Sequence, residues 1–262
     1  RSGVYRDDLA HRKYLKRQTY KAKPRTFTPE VEDYVRDKLR LKYSPEQIAG
    51  AAKTNGDNCV SHERIYQFIW QDKRKEGTLY LDLRNRGRRY KKRSVIYDKR
   101  GIIPNRTDIS QRPPEVELRE RFGDLEIDLI IGKNHKGAIL TINDRATGFG
   151  KLRKLDGKDA QRLATATIDC LMEWKPFLKT ITSDNGKEFA AHETIAKQLN
   201  IDFFFAKPYA SWQRGSNENY NRLVRQYIPK KVDFDCIPTD YINFVEYQLN
   251  NRPRKRFKYE SP

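Results

Sequence analysis

The chain has 262 residues, of which 54 are lysine or arginine and 35 are aspartate or glutamate, so its formal net charge is +19. A strong positive charge is typical of proteins that bind a polyanion, most often nucleic acid. Three cysteines and four histidines are scattered without paired spacing, which supports neither a zinc module nor a disulfide framework. No apolar run approaches the roughly 18 residues of a membrane span, and no signal peptide is visible.

The positive charge is concentrated in the N-terminal part of the chain. Residues 1–100 carry 27 basic and 13 acidic residues, a balance of +14, whereas residues 101–262 carry 27 and 22, a balance of +5. We predict a basic arm or helix over residues 1–27, a helical DNA-binding unit over 28–83, a basic linker over 84–114 and a catalytic core over 115–262. Arg1 is an unusual first residue, so we expect the numbering to begin inside a longer protein.

Three helix starts follow one another between residues 28 and 70. Thr28-Pro29, Ser44-Pro45 and Ser61-His62 each place a capping side chain before an amphipathic run. Three short capped helices predict a helix-turn-helix unit. Its third helix would offer four side chains to a DNA groove: Ser61, His62, Arg64 and Gln67. The alternative is a small helical bundle without groove contact.

Residues 84–100 hold nine basic residues and one acid. Such a run is typical of a solvated linker, and a flexible basic linker can also lie along phosphates without sequence specificity. The predicted phosphate contacts in this run are Arg88, Arg89, Lys91, Lys92 and Arg93.

Past residue 115 the pattern changes to strands and helices. Strands are predicted over residues 125–131, 138–143, 149–155, 180–183 and 202–205, and helices over 159–174, 193–199, 217–227 and 240–251. This order predicts an α/β fold with a mixed five-stranded sheet and flanking helices. Ser216 or Asn217 is the expected cap of the helix over 217–227.

Three acidic residues stand at strand ends or helix starts. Asp128 lies in an apolar strand, where alternation places it with Glu126 on one face. Asp184 ends a short β-branched run, and Glu218 opens a helix. Three carboxylates suit a pair of Mg²⁺ ions, which favour oxygen ligands and phosphoryl transfer. The structural alternatives are that Asp184 caps a turn, that Glu218 improves a helix N-terminus, and that Asp128 belongs to a solvated strand face.

Three sequence blocks around these acids resemble the IS30-family bacterial insertion-sequence transposases. The blocks are GDLEIDLI at residues 123–130, SDNGKEFAAH at 183–192 and PYASWQRGSNEN at 208–219. NRPR at residues 251–254 continues the likeness, which extends over about residues 28–262. The resemblance implies an RNase H-like fold of the retroviral-integrase superfamily, with an acidic DDE motif at Asp128, Asp184 and Glu218.

The resemblance also implies an activity and its partners. The three acids would hold two Mg²⁺ ions, for which Mn²⁺ can substitute, and catalyse DNA strand cleavage and strand transfer. Double-stranded DNA, both element ends and target, is the expected partner, bound by a homodimer or a larger homo-oligomer in the bacterial cytoplasm, at the nucleoid. Two other activities stay open: a DNA-binding regulator with an inert catalytic fold, and a nuclease of the same fold without joining activity.

Further DNA contacts are expected around the acidic site. Arg225 lies seven residues after Glu218, two turns along the same helix face. The remaining candidates are Lys187, His192, Trp212, Gln213, Arg214 and Asn217. Alternatives without DNA are a surface charge at Arg225, solvent-facing side chains at Lys187 and His192, and core packing of Trp212.

Overall fold

The structure is a computed structural model that describes residues 6–20, 26–86, 103–133, 137–155, 157, 159–208, 210–230 and 232–262. Five predicted phosphate contacts of the basic linker therefore lie outside the described residues: Arg88, Arg89, Lys91, Lys92 and Arg93. None of the helices within the described ranges is long and apolar enough to cross a membrane.

Four helices form the N-terminal part: α1 (Asp7–Tyr20), α2 (Pro29–Arg40), α3 (Pro45–Asn55) and α4 (His62–Arg74). The three predicted starts of α2, α3 and α4 are confirmed, because the side chains of Thr28, Ser44 and Ser61 each accept a backbone N–H of the first turn. Helices α2 to α4 share a hydrophobic cluster that includes Val35, Leu39, Ile48, Ile65 and Ile69.

The second part of the chain is built on one mixed sheet of six strands: β1 (Thr107–Asp108), β2 (Asp124–Ile131), β3 (Ala138–Asp144), β4 (Gly150–Leu155), β5 (Thr180–Ser183) and β6 (Asp202–Phe205). Their order is β1-β6-β5-β2-β3-β4. Strands β2, β3 and β4 are antiparallel, whereas β5 runs parallel to β2, and β6 and β1 continue the parallel half. The sheet has one strand more than the predicted five. The additional strand is β1, whose two residues are too few to show a periodic pattern.

Five helices accompany the sheet: α5 (Glu115–Leu118), α6 (Ala160–Leu171), α7 (His192–Leu199), α8 (Gly215–Tyr227) and α9 (Thr239–Asn250). One apolar core lies between α6, α7 and the sheet, and a second lies between α8, α9 and the opposite face. Helix α6 ends three residues before the predicted Trp174, because a 3₁₀ helix over Met172–Phe177 replaces its last turn. A mixed sheet covered on both faces confirms the predicted α/β class with flanking helices.

The helical part contacts the sheet part through the C-terminal segment. Arg252 donates to the carbonyl of Lys42 at 2.6 Å, and the Tyr227 hydroxyl donates to the carbonyl of Leu41 at 3.0 Å. Gln47 donates to the carbonyl of Pro253 at 2.6 Å. Because Arg252 is almost completely buried, these hydrogen bonds fix the end of α2 against α8.

Candidate active site

Asp128 and Asp184 come to the same level on two neighbouring parallel strands. In the β2–β5 register, Glu126 lies beside Thr182. Two residues further along, the same register places Asp128 level with Asp184. Side chains two residues apart point to one face of a strand, so both carboxylates reach the same side of the sheet. They stay 24% and 28% exposed, which leaves the pair open to a ligand.

Arg214 lies between the two carboxylates. Its Nη1 is 3.7 Å from Asp128 Oδ2, and its Nη2 is 3.6 Å from Asp184 Oδ2. The same Nη1 donates to the carbonyl of Ile127 at 3.1 Å, which fixes the guanidinium to β2. The sequence predicted a DNA contact for this side chain, and the structure instead brings it into the acidic pair.

The carboxylate of Asp128 is oriented by two hydrogen bonds. Oδ2 accepts from Nδ2 of Asn221 at 2.8 Å, and Oδ1 accepts from the backbone N–H of Leu129 at 2.9 Å. Burial raises the pKa of Asp128 to about 6, Arg214 opposes the rise, and the negative charge of Asp184 adds to it. The group therefore gains from any further positive charge placed beside it.

Asp184 is held at the end of β5 by its own turn. Its Oδ1 accepts from the backbone N–H of Gly186 at 2.9 Å. Asn185 donates to the carbonyl of Ala206 and accepts from Arg106. These bonds form a tight turn behind Asp184, which its own side chain caps, and keep the carboxylate at the end of the strand.

Glu218 stands apart from the aspartates. It lies exposed in the first turn of α8, three residues before the Asn221 that contacts Asp128. Within the residues that the structure describes, no three acidic, histidine or cysteine side chains are grouped to hold a metal ion. The structure therefore brings two of the three predicted ligands together and places the third on the adjacent helix.

Helix α8 is anchored to β2 by Glu126, a residue without a predicted role. The buried carboxylate of Glu126 accepts from the backbone N–H of Asn217 at 2.7 Å and lies 3.0 Å from Nη1 of Arg145. Burial raises the pKa of Glu126, and Arg145 opposes the rise. The predicted cap at Ser216 or Asn217 is wrong, because α8 begins at Gly215 without a side-chain cap. Glu126 satisfies that first turn from the neighbouring strand.

The anchor extends into a network of charges that we call the Glu126 network: Glu126, Arg145, Glu117 and Arg112. Arg145 contacts Glu117 at 2.9 Å, Arg112 also pairs with Glu117, and Arg112 donates to Thr182 Oγ1 at 2.9 Å. The sequence did not predict this network. Its available signal was the acid at Glu126, which shares the polar face of β2 with Asp128.

Two of the predicted DNA contacts on the sheet part are buried. His192 packs against Phe203 and Phe205, with its ring nitrogens facing backbone carbonyls. Asn217 is completely buried beneath α8. In this packing neither side chain is accessible to a nucleic acid.

The other predicted contacts differ in exposure. Trp212 is 75% exposed, which excludes the core alternative, and Lys187 is also exposed. Gln213 accepts from the backbone N–H of Lys207 at 2.8 Å. Arg225 lies one turn after Asn221 on α8 and donates to the carbonyl of Ile131 at 3.0 Å. Trp212 and Lys187 are thus the candidates with free access to a nucleic acid.

The predicted recognition helix presents an open surface. His62 and Gln67 are exposed, Ser61 is occupied in capping α4, and the guanidinium of Arg64 lies over the ring of Phe27. His62 and Gln67 are therefore the side chains of this helix that can reach a groove without rearrangement.

The chemistry of the aspartate pair suits a divalent ion. Asp128 and Asp184 supply hard oxygen donors, the ligands that Mg²⁺ prefers. Both already lie within 4 Å of one positive charge, the guanidinium of Arg214. A site that gathers two carboxylates around a cation fits the predicted metal.

Comparison with known proteins assigns the family. The chain is 53% identical over its 262 residues to the transposase for insertion sequence element IS4351 of Bacteroides fragilis, and it covers 80% of that protein. It is 35% identical over 235 residues to the transposase for IS1086 of Cupriavidus metallidurans, covering 69% of it. Transposase InsI for IS30C of Escherichia coli is 33% identical over 239 residues and covered to 62%; these two alignments each include 87% of the present chain. The chain belongs to the IS30-type transposases.

No protein-family model matches this IS30-type chain. Among solved structures, the catalytic core domain of BIV integrase aligns with a TM-score of 0.40 and 20% identity, over 48% of this chain and 82% of the integrase chain.

Proposed function

We propose that this IS30-type transposase binds the ends of an insertion sequence and catalyses metal-dependent cleavage and joining of DNA strands. One observation carries the proposal: Asp128 and Asp184 lie level on adjacent strands and share the guanidinium of Arg214. Family membership supplies the reaction class, because the related proteins are transposases.

The metal ligands in this proposal are Asp128, Asp184 and Glu218, with Mg²⁺ as the physiological ion and Mn²⁺ as a substitute. When bound, a pair of such ions activates the attacking oxygen and stabilises the leaving oxygen of a phosphodiester. Glu218 is exposed and lies one turn before Asn221 on α8, so metal binding in this proposal requires its carboxylate to turn towards the pair.

The chain's own residues prepare this site. Asn221 and the backbone N–H of Gly186 fix the orientation of the two aspartates. Arg214 neutralises part of their charge and keeps both carboxylates in one cluster. Glu126 holds the first turn of α8, and with it Glu218, against β2. The ligands thus stand on rigid elements before the substrate binds.

DNA is the proposed partner of two surfaces. Trp212 lies two residues before Arg214 and Lys187 three residues after Asp184, and an exposed tryptophan offers a stacking platform for an unpaired base. His62 and Gln67 of α4 remain the proposed groove contacts. Paired element ends require two active sites, so we propose a homodimer or a larger homo-oligomer as the acting form.

Asp184→Asn tests the activity. The variant removes one ligand charge and keeps the shape of the side chain, so nicking and strand transfer on a duplex carrying the element's own end sequence should fall at least about a thousandfold in Mg²⁺. Duplex binding should stay within about threefold, because the change lies outside the proposed groove contacts. Asp202→Asn, at the exposed start of β6, is the matched control and should cleave like the wild type. Retained cleavage by Asp184→Asn would sink the proposal.

A DNA-binding regulator without catalysis is the second candidate. Two observations favour it: Arg214 contacts the aspartates, and the described residues hold no complete three-ligand group. The same assay separates the two functions. Wild-type binding without nicking in either Mg²⁺ or Mn²⁺ identifies a regulator, and nicking without joining identifies a nuclease.

A further inference from the structure

A basic cleft lies on the other side of α8 from the aspartates. It has a volume of about 460 Å³ and is bordered by α3, by α8 and by the C-terminal segment over residues 252–259. Eight basic and two acidic side chains line it. Four arginines, Arg84, Arg252, Arg254 and Arg256, dominate its charge, and we call them the arginine cluster.

Each arginine of the cluster donates to a neutral group. Arg84 bonds to the side chain of Asn219, Arg252 to Oε1 of Gln226 at 2.9 Å, Arg254 to the carbonyl of Leu249 at 2.9 Å and Arg256 to the carbonyl of Arg145 at 3.2 Å. Among the described residues, no carboxylate forms an ion pair with any of these four arginines.

The two acids of the cleft contact groups other than the arginine cluster. Glu46 pairs with Lys255 at 2.6 Å. Asp144 accepts from the backbone N–H groups of Gly123 at 3.0 Å and Thr147 at 2.7 Å. The charge of Asp144 acts on Arg256, and the positive charge of the arginine cluster is otherwise not offset by these two acids.

Burial and neighbouring positive charges lower the pKa of two arginines of the cluster. Burial, and then the charge of Arg252, lower the pKa of Arg254 to about 10. Burial, and then Arg222 and Arg252, lower the pKa of Arg84. Repulsion of this kind is relieved when an anion enters. The side-chain Nε–H groups of Arg252 and Arg254 are in addition buried without a hydrogen-bond partner among the described residues.

We infer that this cleft is a second DNA-binding site, which holds the phosphodiester backbone while the strand end lies at the aspartates. Gly215, Ser216 and Asn219 of α8 line the cleft, whereas Asn217 and Asn221 of the same helix face β2. Glu218 stands between these two faces. A strand held in the cleft is thereby placed within one helix turn of the proposed catalytic acid.

A phosphodiester backbone suits the arginine cluster. Arginine forks match phosphate oxygens in pairs, and the start of a long helix adds favourable potential for an anion. Arg84 and Arg256 remain exposed and can reach successive phosphates. The identity of the anion rests on the proposed function, whereas the presence of an anion site rests on the arginine cluster alone.

The test compares two double variants of the full chain. Arg84→Gln with Arg256→Gln removes two exposed charges of the cleft, and Arg162→Gln with Lys197→Gln removes two exposed charges from α6 and α7 on the opposite face of the sheet. Binding of a 30-base-pair duplex of arbitrary sequence is measured by fluorescence anisotropy from about 50 to 300 mM salt. The slope of log affinity against log salt should fall by about 1.8 in the cleft variant, about 0.9 for each lost phosphate contact. The control should keep the wild-type slope.

A second measurement uses the unmodified protein. Phenylglyoxal modifies accessible arginines, and bound duplex should protect Arg84 and Arg256 in peptide mass spectrometry while Arg162 stays reactive. An unchanged slope together with unprotected Arg84 and Arg256 would overturn the inference. So would protection by poly-glutamate without protection by duplex, which identifies an acidic protein as the occupant. Failure of the proposed function has a different signature, namely a wild type that binds duplex without nicking it.

Discussion

The face of β2 that meets α8 carries two carboxylates of opposite character. Glu126 is completely buried and contacts its partners at 2.7 and 3.0 Å. Asp128, two residues further on, is 24% exposed and lies 3.7 Å from Arg214. Two consecutive side chains on one strand face therefore differ: the first forms a buried ion pair, and the second is a partly exposed carboxylate.

The difference shows that a carboxylate stabilises the fold at one position of the strand and is available to a ligand two residues further on. Tight contacts without access to solvent make Glu126 an anchor for α8. Longer contacts and a side chain that is 24% exposed leave Asp128 able to accept another cation. Burial, with the negative charge of Asp184 added, raises its pKa to about 6. Burial and contact distance, more than residue type, separate the two roles.

Arg145→Met removes the cation that contacts the buried Glu126 and should have the largest effect on stability. It leaves the buried carboxylate of Glu126 without its cation, which typically costs about 3–5 kcal/mol. The free energy of unfolding in urea measures this loss. Arg162→Met, at an exposed arginine of α6, should change the free energy by less than about 0.5 kcal/mol. A loss below 1 kcal/mol in Arg145→Met would show that the Glu126 network does not anchor the fold.

Asp128→Asn removes the charge of the partly exposed carboxylate and should stabilise the metal-free protein. The folded pKa of about 6 lies above the ordinary value of 3.8, so the ionised carboxylate destabilises the fold above pH 6. At pH 7.5 the variant should gain roughly 1–3 kcal/mol in the free energy of unfolding. The gain should shrink as the pH falls from 6 towards 4, because the wild-type group becomes protonated. A variant less stable than the wild type at pH 7.5 would contradict this account.

Glu117→Gln removes the charge of the exposed acid of the Glu126 network and should have the smallest effect on stability. Glu117 is 63% exposed although its partners Arg112 and Arg145 are buried. Solvent screens its ion pairs, so the loss should stay near or below about 1 kcal/mol in urea unfolding. A cost equal to that of Arg145→Met would mean that exposure does not set the strength of these contacts.

Much of the sheet and the positions of the acids were predictable from local pattern. Alternation along β2 placed Glu126 and Asp128 on one face, and the β-branched run before Asp184 marked β5. Cap residues marked α2, α3 and α4. These features depend on neighbours within a few residues, which sequence periodicity records.

The errors concern contacts between distant segments. Arg214 meets Asp128 across 86 positions of the chain, and no local pattern indicates such a pair. His192 and Asn217 are polar residues at helix starts, typical of exposed positions, yet α7 packs against the sheet at His192 and α8 packs on β2 at Asn217. The start of α8 was misplaced for the same reason, because its cap comes from Glu126 in another element.

A crystal of the wild-type protein soaked in Mn²⁺ tests the central contrast most directly. Anomalous diffraction should show Mn²⁺ coordinated by Asp128 and Asp184, with Arg214 displaced, and no Mn²⁺ at Glu126. A crystal of Asp184→Asn treated in the same way should lose that peak. Absence of Mn²⁺ from the aspartate pair in the wild type, or an equal peak in Asp184→Asn, would contradict the account.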